Sequence, residues 1–306
     1  MITALTLAPV VAAVLILALP ERRARAVALA GALASLTLAV WMLVQFDITA
    51  AGLQFSEKVA WIPALSVHYF VGLDGTNALV LLLSVLLAPL VVLASWQHND
   101  RPRTYFVLLC LLFTGLFGTF TALNFFHWFL YWELVLVPSF FLIKLFGKGE
   151  ERHSAALNFF LFTVLGSVAM LLGFLFLYSY LPADMKTFNF VSPSGEKISL
   201  ASLASDPNRP ISGIGGVQII FFAILAGLWV KVPLAPLHIW QAPAYAAAPT
   251  PVTMLLTGVM SKMGVYGFLR IIVPIFPEQL KQHAGTLMAF ALLTILWGAF
   301  LALRQT

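Results

Sequence analysis

Nine apolar runs constrain this chain more than any other feature of its sequence. They fall at about Ile2–Leu19, Ala26–Phe46, Thr76–Ser95, Tyr105–Leu123, Phe125–Leu145, Ala155–Tyr180, Val217–Val232, Val252–Ile272 and Gly285–Leu303. Crossing the hydrocarbon core of a bilayer takes about 20 residues of helix. Backbone N–H and C=O groups in lipid must be bonded within the protein, so runs of this length and composition are helices. Only 9% of the 306 residues are charged, against about a quarter in a soluble domain. No water-exposed surface can be made from that composition. The net charge of +5 is scattered over short loops, which excludes a nucleic-acid-binding face. The single cysteine, Cys110, lies inside an apolar run, so neither a disulfide framework nor a cysteine metal cluster is available. The expectation is an all-α polytopic membrane protein with about nine transmembrane helices. The first run lacks a small-residue cleavage site and is followed at once by another, which reads as a retained helix rather than a signal peptide.

Basic residues give the orientation. With the N-terminus outside, the inner loops hold Arg22, Arg23, Arg25, Arg101, Arg103, Lys144, Lys148, Arg152 and Arg304. The outer side holds Lys58, Lys186, Lys197, Arg209, Arg270 and Lys281. Three of these sit in the long Pro182–Gly215 loop, which the positive-inside rule discounts. The N-terminus is therefore expected on the outer, positive side of the membrane. Of the two long outer loops, Asp47–Gly75 carries Trp61, Pro63 and Tyr69 and suits a segment lying along the membrane surface. Pro182–Gly215 alternates apolar and polar residues around Pro193–Gly195, as a small hairpin would.

Three charged residues sit deep inside predicted spans: Glu133, Lys231 and Lys262. Each costs at least ~2.5–3.5 kcal/mol at the centre of a helix in lipid. They persist only where they face protein, meet partners or line a wetted path. A structural pair locking two helices and a proton relay are the two readings of such groups. Pro138, five residues after Glu133, leaves the Leu134 carbonyl without its helical donor. Pro233 and Pro236 follow Lys231 and break the helix over about residues 231–249, and broken helices near the midplane recur in ion transporters. His238, just past the second proline, is either a hydrogen-bonded interfacial histidine or a further relay member. Gly258 and Tyr266 lie four residues either side of Lys262, and Gly264 and Gly267 allow close helix contact. No nucleotide loop, haem-ligand pair, iron–sulfur spacing or nucleophile triad is present.

Several stretches resemble the antiporter-like membrane subunits of respiratory complex I and the related Mrp cation/proton antiporters, most closely the M-type chain. They are "VGLDG" at Val71–Gly75, "YWELVLVPSFFLIKLFG" at Tyr131–Gly147, "VKVPLAPLHIW" at Val230–Trp240, "APTPV" and "SKMGVYGFLR" at Ala248–Arg270, and "ALRQT" at Ala302–Thr306. The resemblance implies that Glu133 pairs with Lys231 across the broken helix and that Lys262 passes protons toward the centre of the subunit. It implies three parts: N-terminal helices over 1–104, a first inverted five-helix repeat over 105–272, and the opening helix of a second repeat over 273–306. The rest of that second repeat would come from elsewhere, including another chain. Pro243 and Ala247 stand where the family carries an acidic pair, and Asn158 where a lysine is common.

The function so implied is a proton-translocating membrane-arm subunit of a complex-I-like NADH (or ferredoxin):quinone oxidoreductase. Its partners would be the other membrane-arm subunits and the lipid bilayer of a bacterial inner membrane or a thylakoid. This chain would hold no cofactor; quinone, flavin and Fe–S clusters would belong to partner subunits. The alternatives are a subunit of an Mrp-type Na+/H+ antiporter and a non-conducting structural remnant of the family.

Overall fold

A computed structural model describes residues 1–50, 52–192, 198–205 and 211–304. In chain order the elements are α1 (Ile2–Ala18), α2 (Ala24–Val44), β1 (Gln54–Ile62), β2 (Val67–Leu73), α3 (Ala78–Ala94), α4 (Pro102–Thr121) and α5 (Phe125–Phe146). There follow α6 (Arg152–Tyr180), α7 (Leu200–Ala204), α8 (Val217–Lys231), α9 (Gln241–Ala247), α10 (Thr250–Ile275) and α11 (Pro277–Leu303). All nine apolar runs are helices. Among the described residues, six are long and apolar enough to cross a membrane on their own, namely α2, α4, α5, α6, α10 and α11. The other three, α1, α3 and α8, are apolar but shorter, at 17, 17 and 15 residues. At 1.5 Å per residue α8 reaches about 22 Å, so it ends within the ~30 Å hydrocarbon core. Pro233 and Pro236 stop it there.

The bundle is built around α4. From Leu112 to Thr121 every residue of that helix is buried, as its all-round apolar sequence requires. Its buried Thr114, Thr119 and Thr121 hydroxyls return to carbonyls one turn back in the same helix. Small residues set the helix spacing. A Cβ at Gly115 would stand 2.9 Å from the Val135 nitrogen of α5, and one at Gly227 of α8 would stand 2.8 Å from the Gly166 oxygen of α6. Without water to drive association, such close backbone approach supplies the packing contacts in a membrane. No residue in the apolar window of α11 is buried; it touches α8 and its break along one side through Trp229–Phe290 and a bond from the Ala235 N–H to the Thr294 hydroxyl (3.0 Å).

The Asp47–Gly75 segment has a pairing that the sequence reading did not foresee. It is an antiparallel hairpin, with Lys58 opposite Phe70 and Ala60 opposite His68. Both strands are stitched to the bundle: the Leu123 N–H donates to the Phe70 carbonyl of β2 (2.8 Å), and Thr3 and the N-terminal ammonium both bond Glu57 of β1. The hairpin expected at Pro193–Gly195 lies outside the described residues.

Candidate functional site

The α8 break presents Lys231 to the interior. Its side chain is 2% exposed, held on the last residue of α8 because the two prolines that follow cannot continue the helix. The loosened backbone is largely re-bonded. The Trp229 carbonyl accepts the Leu234 N–H (3.2 Å), and the Val230 carbonyl accepts the Trp240 indole N–H (3.1 Å). Irregular backbone at this depth is tolerated because it is buried in protein.

Glu133 comes to the same place from α5. Its carboxylate and the Lys231 ammonium lie within electrostatic reach of one another without closing to an ion pair at 4.0 Å. Ser167 of α6 stands beside the carboxylate and accepts the Trp132 indole N–H at 3.1 Å. The Lys231 ammonium sits 5.2 Å from the centre of the Trp132 ring, within range of a cation–π attraction. One carboxylate oxygen, Glu133 Oε1, is buried without a hydrogen-bond partner. The centre therefore holds an acid and a base on neighbouring helices, oriented by an indole and a serine, with hydrogen-bonding capacity left over. Groups coupled in this way exchange protons as a set.

Lys262 does not join them. It is exposed on the flank of α10, and its ammonium bonds the Thr257 carbonyl of its own helix at 2.6 Å. Two π turns interrupt α10, one at Leu256–Met260 and one at Phe268–Ile272. Each inserts a residue into the helical repeat, so a face read at 3.6 residues per turn does not survive them. Within the regular piece between them, Ser261–Gly267, Tyr266 is buried while Lys262 is exposed. The close-packing glycines behave as read: a Cβ at Gly264 or Gly267 would come within 2.6 Å of Val232 or Leu228 of α8. His238 is half-buried in the break with Nδ1 unpartnered, and it makes no bond to Glu133 or Lys231. Pro243 is exposed on α9, whereas Ala247 is buried with its carbonyl accepting the Lys148 N–H (2.7 Å).

The sequence reading counted Arg270 with the outer-side charges, near the end of the Val252–Ile272 run; it is 4% exposed inside α10. Its guanidinium meets Asp74 through two bonds of 2.7 Å and the Tyr266 hydroxyl through one of 3.1 Å. Burial works against the Asp74 charge, yet the Arg270 bonds and the N–H groups of Thr76 and Asn77 hold its carboxyl below the ordinary value. The apolar residues Ile271–Phe276 after Arg270, and Asp74 within "VGLDG", were the available signals. A cavity of about 390 Å³ between α8, α10 and α11 is lined by apolar side chains including Leu228, Val265, Phe268 and Met288. Among the described residues no group of three His, Cys, Asp or Glu could hold a metal ion.

Residues 122–306 match the family described as "NADH:quinone oxidoreductase/Mrp antiporter, TM", and residues 27–119 match the amino terminus of NADH-ubiquinone oxidoreductase chain 4. The chain belongs to this family. It is 35% identical over 281 residues to the F(420)H(2) dehydrogenase subunit M of Methanosarcina mazei, covering 90% of this chain and 54% of the relative. To the NADH-quinone oxidoreductase subunit M of Rhodobacter capsulatus it is 33% identical, covering 93% and 54%. A chain of respiratory complex I from Thermus thermophilus superposes with a TM-score of 0.82 at 28% identity, over 100% of this chain and 60% of that one. The chain thus spans about half the length of the curated relatives it matches. As a member of the family it is an integral membrane protein of the antiporter-like fold.

Proposed function

We propose that this chain is a proton-translocating membrane-arm subunit of a complex-I-like oxidoreductase, and that Glu133 and Lys231 carry its central proton step. The observation that carries the reading is the unclosed meeting of carboxylate and ammonium at the α8 break. A closed, fully bonded pair would hold its protons fixed. Here Lys231 leans on the Trp132 ring and Glu133 keeps a free oxygen. A charge change nearby then alters which of the two is ionised, and a proton moves between them. Lys262 stands on the exposed flank of α10 as the next station, facing whatever protein covers that flank, and His238 is a reserve group in the break.

In this reading residues 105–272 form the first repeat, residues 273–306 begin the second, and the N-terminus faces the positive side. Electron transfer, with its quinone, flavin and Fe–S clusters, belongs to partner subunits. The relatives' names, subunit M of an F(420)H(2) dehydrogenase and of an NADH-quinone oxidoreductase, support that assignment. The test is Lys231→Met in the assembled complex, reconstituted in vesicles. Coupled proton transfer is lost while the subunit remains in place. Pumping at the wild-type rate overturns the reading.

A further inference from the structure

We infer that the Asp74–Arg270 clamp is a positioning device for Lys262, fixing the rotational setting of the α10 segment that carries it. The 26-residue α10 consists of short α-helical pieces separated by the two π turns, and Lys262 lies in the piece between them, Ser261–Gly267. Successive residues of a helix turn by about 100°, so gaining or losing one inserted residue swings everything beyond it by that angle. A span with two such turns has no single rotation dictated by its own hydrogen bonds; contacts from outside must choose it.

Those contacts are unequal at the two ends of the Lys262 piece. At the first π turn the outside hold is one neutral bond, from the Tyr245 hydroxyl to the Leu256 carbonyl (3.1 Å). The bond from Lys262 to Thr257 there belongs to the moving piece itself. At the second, Arg270 lies within the π turn and is gripped by the two-pronged Asp74 contact. The same guanidinium bonds Tyr266, which is inside the Lys262 piece, so the grip extends across the turn.

Asp74 is itself immobilised. Its carboxylate accepts the Thr76 N–H (2.9 Å), its backbone N–H donates to the Asn77 side chain (2.8 Å), and that side chain bonds the Gly72 and Phe120 carbonyls (both 2.9 Å). The clamp thereby refers the rotation of α10 to β2, α3 and α4 together. The surface against which the piece would turn is the end of α8, where Gly264 and Gly267 touch Val232 and Leu228, next to Lys231. A slip of the clamp therefore changes where Lys262 stands relative to Lys231. Arg rather than Lys is required, because only a planar fork makes both bonds to Asp74 and keeps a donor for Tyr266.

The functional weight of this device rests on the proton-relay reading, but its test does not. In the assembled complex, Lys262→Cys is reacted with a water-soluble methanethiosulfonate; the natural cysteine, Cys110, is fully buried. Adding Asp74→Asn changes the labelling rate by at least about fivefold, the size expected of directly coupled positions. Adding Asp74→Glu instead, which restores a carboxylate, brings the rate back toward that of Lys262→Cys alone. If Asp74→Asn prevents assembly, Arg270→Lys, which keeps the charge and loses the fork, takes its place. Equal rates in all forms, or no labelling in any, overturn the inference. Transport is read separately: if Lys262→Met leaves proton transfer intact, the relay role of Lys262 fails while the labelling ratio still judges the clamp.

Discussion

Two of the carboxylate–cation meetings among the described residues, Asp74 with Arg270 and Glu133 with Lys231, are built in opposite ways. At the far end of α10, Asp74 and Arg270 close completely, with every carboxylate oxygen bonded and the guanidinium shared with Tyr266. At the α8 break, Glu133 and Lys231 stay apart, one leaning on an indole and the other keeping a free oxygen. Arginine suits the first because its fork matches a carboxylate and it does not release its proton; lysine suits the second because its ammonium is a single point charge that does. The same two kinds of group thus make a fastener in one place and, in the function proposed above, an exchangeable site in the other. The difference lies in geometric closure rather than in depth or charge.

The largest expected effect follows directly. Breaking a closed buried pair leaves an uncompensated charge, so Arg270→Met should lower unfolding stability by about 3–5 kcal/mol. Lys231→Met, which removes a charge that was never closed on its partner, should cost less than about 2 kcal/mol. Reversible unfolding in mixed micelles measures both, and equal losses would break the comparison.

A smaller effect is expected at the support of the open site. Trp132→Phe removes the bond to Ser167, at about 1 kcal/mol, and leaves Lys231 over a weaker ring. Proton transfer in vesicles should fall partially, short of the complete loss in Lys231→Met; a wild-type rate would show that the indole does not hold the ammonium.

The smallest effect concerns acid. The Asp74 carboxyl is held below its ordinary value of 3.8. Its pairing therefore contributes full stability above the unfolded value and loses it as pH falls through the lower folded one. Unfolding curves collected from pH 6 downward (the range in which carboxylates titrate, roughly pH 5 to 1) should steepen in the wild type. Asp74→Asn should lack that limb. An unchanged profile in the variant would mean that other carboxylates dominate.

Much of this was legible beforehand. The nine runs became nine helices, because a 20-residue apolar stretch in lipid has a single way to bond its backbone. Pro233 and Pro236 marked the break, and Lys231 on its edge was identifiable because a cation at that position demands a reason. The hairpin at Gln54–Ile62 and Val67–Leu73 was not foreseen, since its pairing partner and the loop carbonyls that anchor it lie outside any local window. The exposure of Lys262 was not legible for a different reason. Hydrophobic periodicity assumes a constant 3.6-residue repeat, and the π turns on either side of the Ser261–Gly267 piece violate it. The pairing of Arg270 was not foreseen because its partner is 196 positions away in the chain.

Sequence by itself determined that this chain lives in a membrane, which apolar runs become helices and where one of them must fail. Those properties follow from local chemistry: the cost of an unbonded peptide group in lipid and the missing N–H of proline. Which charges touch was decided only by the tertiary structure. Whether a carboxylate and a cation close or stand apart depends on the rotation and spacing of whole helices. Glycine contacts such as Gly227 on Gly166 and irregular turns within α10 set those quantities, and no stretch of neighbouring residues encodes them.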